Sequence, residues 1–184
     1  MKTLHRTLAA AVLAVPFILL AQGKAAAPAL DDAAIVGIFD IANTWDIETG
    51  TLASTKATRK EVKDFGAMLA RDHKVVQDSG RALAGKLKVT PTPVAADFPL
   101  KVAHDAAMQN LQSLSGPAFD KAFLEHEVAY HKAVIDAMNK SLLPALKSAE
   151  VKALVLKVAP AFAAHQLAAE QLLKGTAGNH GHSK

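Results

Sequence analysis

The chain has 184 residues, 51% of them hydrophobic, with 21 basic against 17 acidic side chains and no cysteine. The missing cysteine excludes disulfides, zinc–thiolate sites, iron–sulfur clusters and cysteine nucleophiles. One Trp and one Tyr leave no basic, aromatic stripe for single-stranded nucleic acid.

Residues 1–25 read as a secretory signal peptide. Lys2, His5 and Arg6 precede the apolar run Leu8 to Ala21, and small residues cluster at Gly23, Ala25, Ala26 and Ala27. The run is shorter than the ~20 residues of a stable membrane span. The expected product is therefore exported, periplasmic or outer-envelope associated, without a transmembrane span after cleavage. Loss of Lys2, Arg6 and Lys24 takes the 21 basic residues to 18 against 17 acidic ones. The mature chain is then nearly neutral and carries no nucleic-acid footprint.

The remainder reads as helix throughout and as a single domain over residues 31–173, with a flexible tail over 174–184. Asp31 or Asp32 can cap a first helix that ends near Lys56. Thr58-Arg59-Lys60-Glu61 has the pattern of a capping box, with Thr58 as N-cap of a second helix that fades near Leu87. A tight turn makes these two antiparallel neighbours. A shorter helix follows over about 97–114, with Pro99 in its first turn, and Ser115-Gly116-Pro117 breaks it. A third long helix covers about 117–143 until Pro144. Ser148 caps the fourth, which runs to about Leu173 with Pro160 inside it. Two long hairpins joined by a crossover predict an all-α, ferritin-like four-helix bundle with one short extra helix in the crossover.

Each long helix carries one metal-capable side chain on its apolar stripe. Glu48 follows Ile38, Ile41 and Trp45 at helical spacing. His73 sits between Leu69 and Val76, His131 between Val128 and Ile135, and His165 between Phe162 and Ala169. An unpaired polar group in that interior costs several kcal/mol, on the order of 2–7. A bound ion or a closed hydrogen-bond network must offset this. Imidazole with carboxylate suits iron, manganese, zinc, copper or nickel. Glu127, one turn before His131, can join as a ligand or hold the His131 ring. No Glu-x-x-His occurs, which disfavours a di-iron carboxylate centre.

The spacing raises an objection. Measured from a turn near Ala57, Glu48 and His73 differ by roughly 10 Å along the bundle axis, and His131 and His165 by roughly 9 Å about Ala145. A buried polar network in a non-catalytic envelope scaffold is the alternative. Asp72 can orient an imidazole of a facing helix. His104 is expected to pack, His126 to face solvent, and His180 with His182 to bind metal weakly at most. The chain has no Gly-x-Ser-x-Gly elbow and no phosphate-binding glycine loop, so binding is favoured over catalysis. Nothing in the sequence fixes the oligomeric state.

Val62-Lys63-x-Phe65-x-x-Met68-x-x-Asp72-His73, Leu114-Ser115-Gly116-x-x-Phe119-Asp120-x-x-Phe123-Leu124, His131 and Pro160-x4-His165-Gln166-Leu167 together resemble an exported bacterial family of unknown function. It is the "DUF" family four-one-four-two, whose members often carry an outer-membrane-protein label. The resemblance spans about residues 31–173. It implies a ferritin-like fold and shared polar positions on the four stripes, and no established activity. Phe123 departs from the family's usual tyrosine, which removes a phenol from any such site.

Overall fold

The computed structural model describes residues 30–178. The expected signal segment, and His180 and His182 in the tail, lie outside the described residues. Among the described residues the secondary structure is entirely helical. The elements are α1 (Asp32–Lys56), α2 (Lys60–Leu87), α3 (Pro99–Ser113), α4 (Gly116–Ala137), a π-helical segment (Met138–Leu142), α5 (Leu143–Ala145) and α6 (Ala149–Gly178). Among the described residues no helix is long and apolar enough to cross a membrane. The last helix runs past Leu173 into the residues expected to form a flexible tail.

Side chains stitch the helix ends together. The Asp31 carboxylate accepts from Ala34 N at 2.8 Å and caps α1. Its neighbour Asp32 serves the far hairpin instead, accepting from Lys147 N and Ser148 N at 2.8 and 2.9 Å. Ser148 caps α6 as expected, accepting from Val151 N at 3.2 Å. The capping box at Thr58 does not form. Thr58 N and Arg59 N donate to the two carboxylate oxygens of Asp120, at 2.7 and 2.9 Å, and Arg59 is the N-cap without a side-chain bond. A buried carboxylate on α4 satisfies two orphan N–H groups at once, where Thr58 can satisfy one.

α1 packs against α2, α2 against α6, α6 against α4 and α4 against α1, the last most sparsely. The end bonds fix the directions. Asp32 meets the start of α6, while Arg59 Nη1 donates to Leu172 O at 3.2 Å near its end. Neighbouring long helices are therefore antiparallel. One apolar cluster around Ile35, Trp45, Met138, Val151 and Phe162 fills one end of the bundle. A second around Ala53, Phe65, Leu69, Phe119, Phe123 and Leu124 fills the other. Between them lies a fully buried polar layer.

Candidate metal centre

Two local features bring that layer into register. Gly50 and Gly66 let α1 and α2 touch backbone to backbone: a Cβ on Gly50 would lie 2.6 Å from Gly66 O, and one on Gly66 2.7 Å from Gly50 O. Seven residues before Gly50 and seven after Gly66, two turns away on the same faces, Asn43 Oδ1 meets His73 Nδ1 at 2.9 Å. In the other hairpin α4 does not stop before Pro144. It continues through the π-helical segment and α5, and α6 begins only at Ala149. The turn thus lies later than Ala145 and the wider π turn absorbs residues, so His131 and His165 reach one level. The axial objection is thereby removed for His131 and His165, whereas for Glu48 it holds: His73 meets Asn43, earlier in α1.

The three imidazoles form a nearly equilateral cluster. Ring centroids are 5.6 Å apart for His73–His131, 5.2 Å for His73–His165 and 5.5 Å for His131–His165. One ligand atom from each lies within 4.8 Å of the others, and the same holds for a second group, Asp46, Glu127 and His131. All five residues are buried. The four long helices each supply at least one of them.

Each ring has one nitrogen held and the other bare. Asn43 Nδ2 donates to Phe39 O at 2.7 Å, so its Oδ1 faces His73 Nδ1 as an acceptor and fixes the proton there. His131 Nδ1 donates to the Glu127 carbonyl at 3.0 Å. Asp72 Oδ2 lies 3.4 Å from His165 Nε2, the orienting role expected of it. His73 Nε2, His131 Nε2 and His165 Nδ1 are left without a hydrogen-bond partner, as are both oxygens of Asp46 and of Glu127. Imidazole pinned through one nitrogen by an outer acceptor is the arrangement metal-ligating histidines adopt.

Burial and the two neighbouring acids set the charges of the layer. Burial, reinforced by His131 and His165, depresses His73 to about 3. Burial also lowers His165, with Asp72 opposing. Burial works against the charge on His131 too, but Asp46 and Glu127 outweigh it and raise this imidazole to about 9. Asp46 is raised well above the carboxylate range, by burial first and against the pull of His131. Burial would raise Glu127 as well, yet the His131 ring, whose Nδ1 lies 3.4 Å from its carboxylate, together with His126, holds it below its ordinary value.

His73, His131, His165 and Glu127 thus come together as the sequence suggests, and Glu48 does not. The Glu48 side chain is 49% exposed, with Oε2 3.0 Å from His104 Nε2. That histidine is buried and stacks on Trp45 at 5.3 Å. Asp46 occupies the interior instead, because two residues along an α-helix is about 200° around it. The apolar stripe misleads here: Ile38, Phe39 and Ile41 are only half-buried, and the buried face runs through Ala42, Asn43, Asp46, Thr49, Gly50 and Ala53. Polar residues three apart at Asn43, Asp46 and Thr49 were the available signal. His126 is half-buried rather than solvated, its ring 5.6 Å from Tyr130. Phe123 packs between Phe65 and Phe119 in one apolar cluster.

Fold and site together define an all-helical protein whose long helices converge on a buried histidine–carboxylate layer able to hold a metal ion. The chain belongs to the family described as Domain of unknown function (DUF4142), whose model matches residues 19–172. No curated protein and no solved structure matches it.

Proposed function

We propose that this protein is an exported helical bundle that binds one transition-metal ion through His73, His131, His165 and Asp46, with Glu127 beside them. The observation that supports this most is the set of three bare ring nitrogens, each on an imidazole whose other nitrogen is held by an acceptor. Around a tetrahedral ion with ~2.1 Å bonds, ligand nitrogens lie about 3.4 Å apart. Ligand atoms within the triad His73, His131 and His165, and within the triad Asp46, Glu127 and His131, already lie within 4.8 Å of one another and need to draw in by up to about 1.4 Å. Nitrogen-rich ligands favour iron, manganese, zinc, copper or nickel over calcium or magnesium, which take oxygen cages. Export rests on the residue pattern of residues 1–25, and the role that fits is to buffer or sense a metal outside the cytoplasm. A purely structural polar network accounts less well for the layer, since both carboxylates lack hydrogen-bond partners there.

The test is metal content and melting temperature of protein purified without a histidine tag. One equivalent of a divalent ion should raise the melting temperature, by an amount equivalent to about 2.7 kcal/mol at a hundredfold excess over the dissociation constant. His73→Ala and His165→Ala should each abolish the shift, and His180→Ala with His182→Ala should leave it. A melting curve unmoved by all five metals would sink the reading.

A further inference from the structure

A pocket of about 500 Å³ opens in the seam between α1 and α4, where the long helices pack most sparsely. Its walls come from four parts of the chain. Phe39 and Asn43 stand on α1, Phe98 precedes α3, Val134 and Met138 lie on or just after α4, and Phe162 projects from α6. It is a half-open hollow walled by opposed helices, and its size is that of a small-molecule site. Small side chains create it: Ala42, Ala103, Ala133 and Ala137 all line it.

The chemistry of the lining restricts what can enter. Among the described residues no charged side chain lines the pocket, and the polar ones are Asn43 and Ser141. Asn43 is already committed, donating to Phe39 O and accepting from His73. That leaves the Ser141 hydroxyl as the available polar side chain, too little to hold ordered water, which needs two to four partners. The π-helical segment supplies Met138, Ser141 and Leu142 to the wall. Such segments recur at functional sites, and methionine adapts its shape to varied apolar contacts.

We propose that this pocket binds a small uncharged hydrocarbon chain or ring, whose single polar group, if it has one, faces Ser141. The inner wall connects it to the polar layer. Phe162 stands edge-on to His73 with ring centroids 5.0 Å apart, and Asn43 holds the proton on His73. An occupant therefore rests one side chain from the histidine cluster, against the two residues that position His73. The pocket does not depend on the metal reading, and chelator-treated protein keeps the two separable.

The test is a fluorescence titration of the chelator-treated full chain with diphenylhexatriene, an uncharged apolar probe. Saturable binding at one site per chain is expected. Ala137→Trp and Ala103→Trp fill the pocket from opposite walls, and either folded variant should weaken binding at least tenfold. Leu156→Ser, at an exposed leucine outside the pocket, should change nothing. Absence of saturable binding, unaltered affinity in a folded tryptophan variant, or an equal loss with Leu156→Ser would overturn the proposal. Leu30 lines the pocket, so the apolar run that precedes it in the chain is a rival occupant. If the probe binds only after Leu13→Asp with Leu19→Asp, that run fills the pocket and the small-ligand proposal fails.

Discussion

Asn43 Oδ1 and His73 Nδ1, 2.9 Å apart, join the first two helices at the level of the polar layer. The bond fixes one tautomer, because the Asn43 amide is itself oriented by its donation to Phe39 O. His73 Nε2 must then be the bare nitrogen. Asn43→Ala frees that choice and leaves a buried N–H unpaired. Metal affinity should fall by about 10–100-fold, the usual effect of losing such an outer partner. The metal-free protein should lose roughly 1–3 kcal/mol. Calorimetric titration and chemical denaturation check the two effects separately, and unchanged affinity would remove Asn43 from the site.

Two acids of α1, Asp46 and Glu48, should behave oppositely. Asp46→Asn keeps the shape but removes a buried carboxylate facing His73 and His131, at 3.5 and 3.9 Å. It should weaken metal binding by an order of magnitude or more, about 1.4 kcal/mol per factor of ten. Glu48→Gln touches only the His104 contact and should leave affinity unchanged. A reversed pattern would restore Glu48 to the site.

The helices and three positions of the buried polar layer were legible in the sequence because α2, α4 and α6 carry His73, His131 and His165 among apolar residues at helical spacing. α1 was not, for a physical reason. It is apolar on more than one side, since Ile38 and Phe39 line the seam pocket while Asn43 and Asp46 face the polar layer. A stripe read by hydrophobicity alone therefore falls a step away from the buried face. The register of both hairpins was hidden as well. It depends on the Gly50–Gly66 contact and on the π turn after Ala137, and neither follows from heptad-like spacing.

Metal-free stability should fall on both sides of neutrality, for different histidines. His131 is raised to about 9, so its contribution is complete below about pH 6.5, the ordinary histidine value, and is lost as pH rises through 9. His73 is depressed to about 3. Below about pH 6.5 the unfolded chain gains a proton there that the folded one refuses, so stability drops as pH falls toward 3. His131→Gln should flatten the alkaline arm and His73→Gln part of the acid arm in melting curves across pH. Metal binding must expel the His131 proton, so titrations at pH 7 in buffers of differing ionisation heat should show proton release.

Gly66→Ala should destabilise the bundle even though alanine is the better helix former by about 1 kcal/mol. The new Cβ would meet Gly50 O at 2.7 Å, Ala53 Cβ at 2.8 Å and Ser54 N at 2.9 Å. Two of these are backbone atoms that cannot turn aside, so α1 and α2 must part. A net loss of roughly 1–3 kcal/mol is expected, with weaker metal binding because Asp46 and Asn43 move away from His73. Gly85→Ala, in the same helix with nothing within 4 Å of the added carbon, should instead stabilise by about 0.5–1 kcal/mol. Equal effects at both glycines in urea denaturation would contradict the close approach.

Asp120 and Glu61 offer rival ways to begin α2, and mutation separates them. The sequence pattern assigns the job to Thr58 and Glu61. In the structure Asp120, wholly buried, accepts from Thr58 N and Arg59 N across the bundle, while Glu61 lies exposed, 3.7 Å from Arg59 Nε. Asp120→Ala strips two backbone N–H groups of their acceptor and unties α4 from the first hairpin turn. The loss should be about 2–4 kcal/mol, a cap plus a tertiary charge-assisted bond. Glu61→Ala, at an exposed position with a weak ion pair, should stay within about 0.5 kcal/mol. Thr58→Ala should do the same, since only its backbone is used. A loss near 1 kcal/mol at Thr58 and Glu61, with Asp120→Ala mild, would mean that the local capping box forms after all.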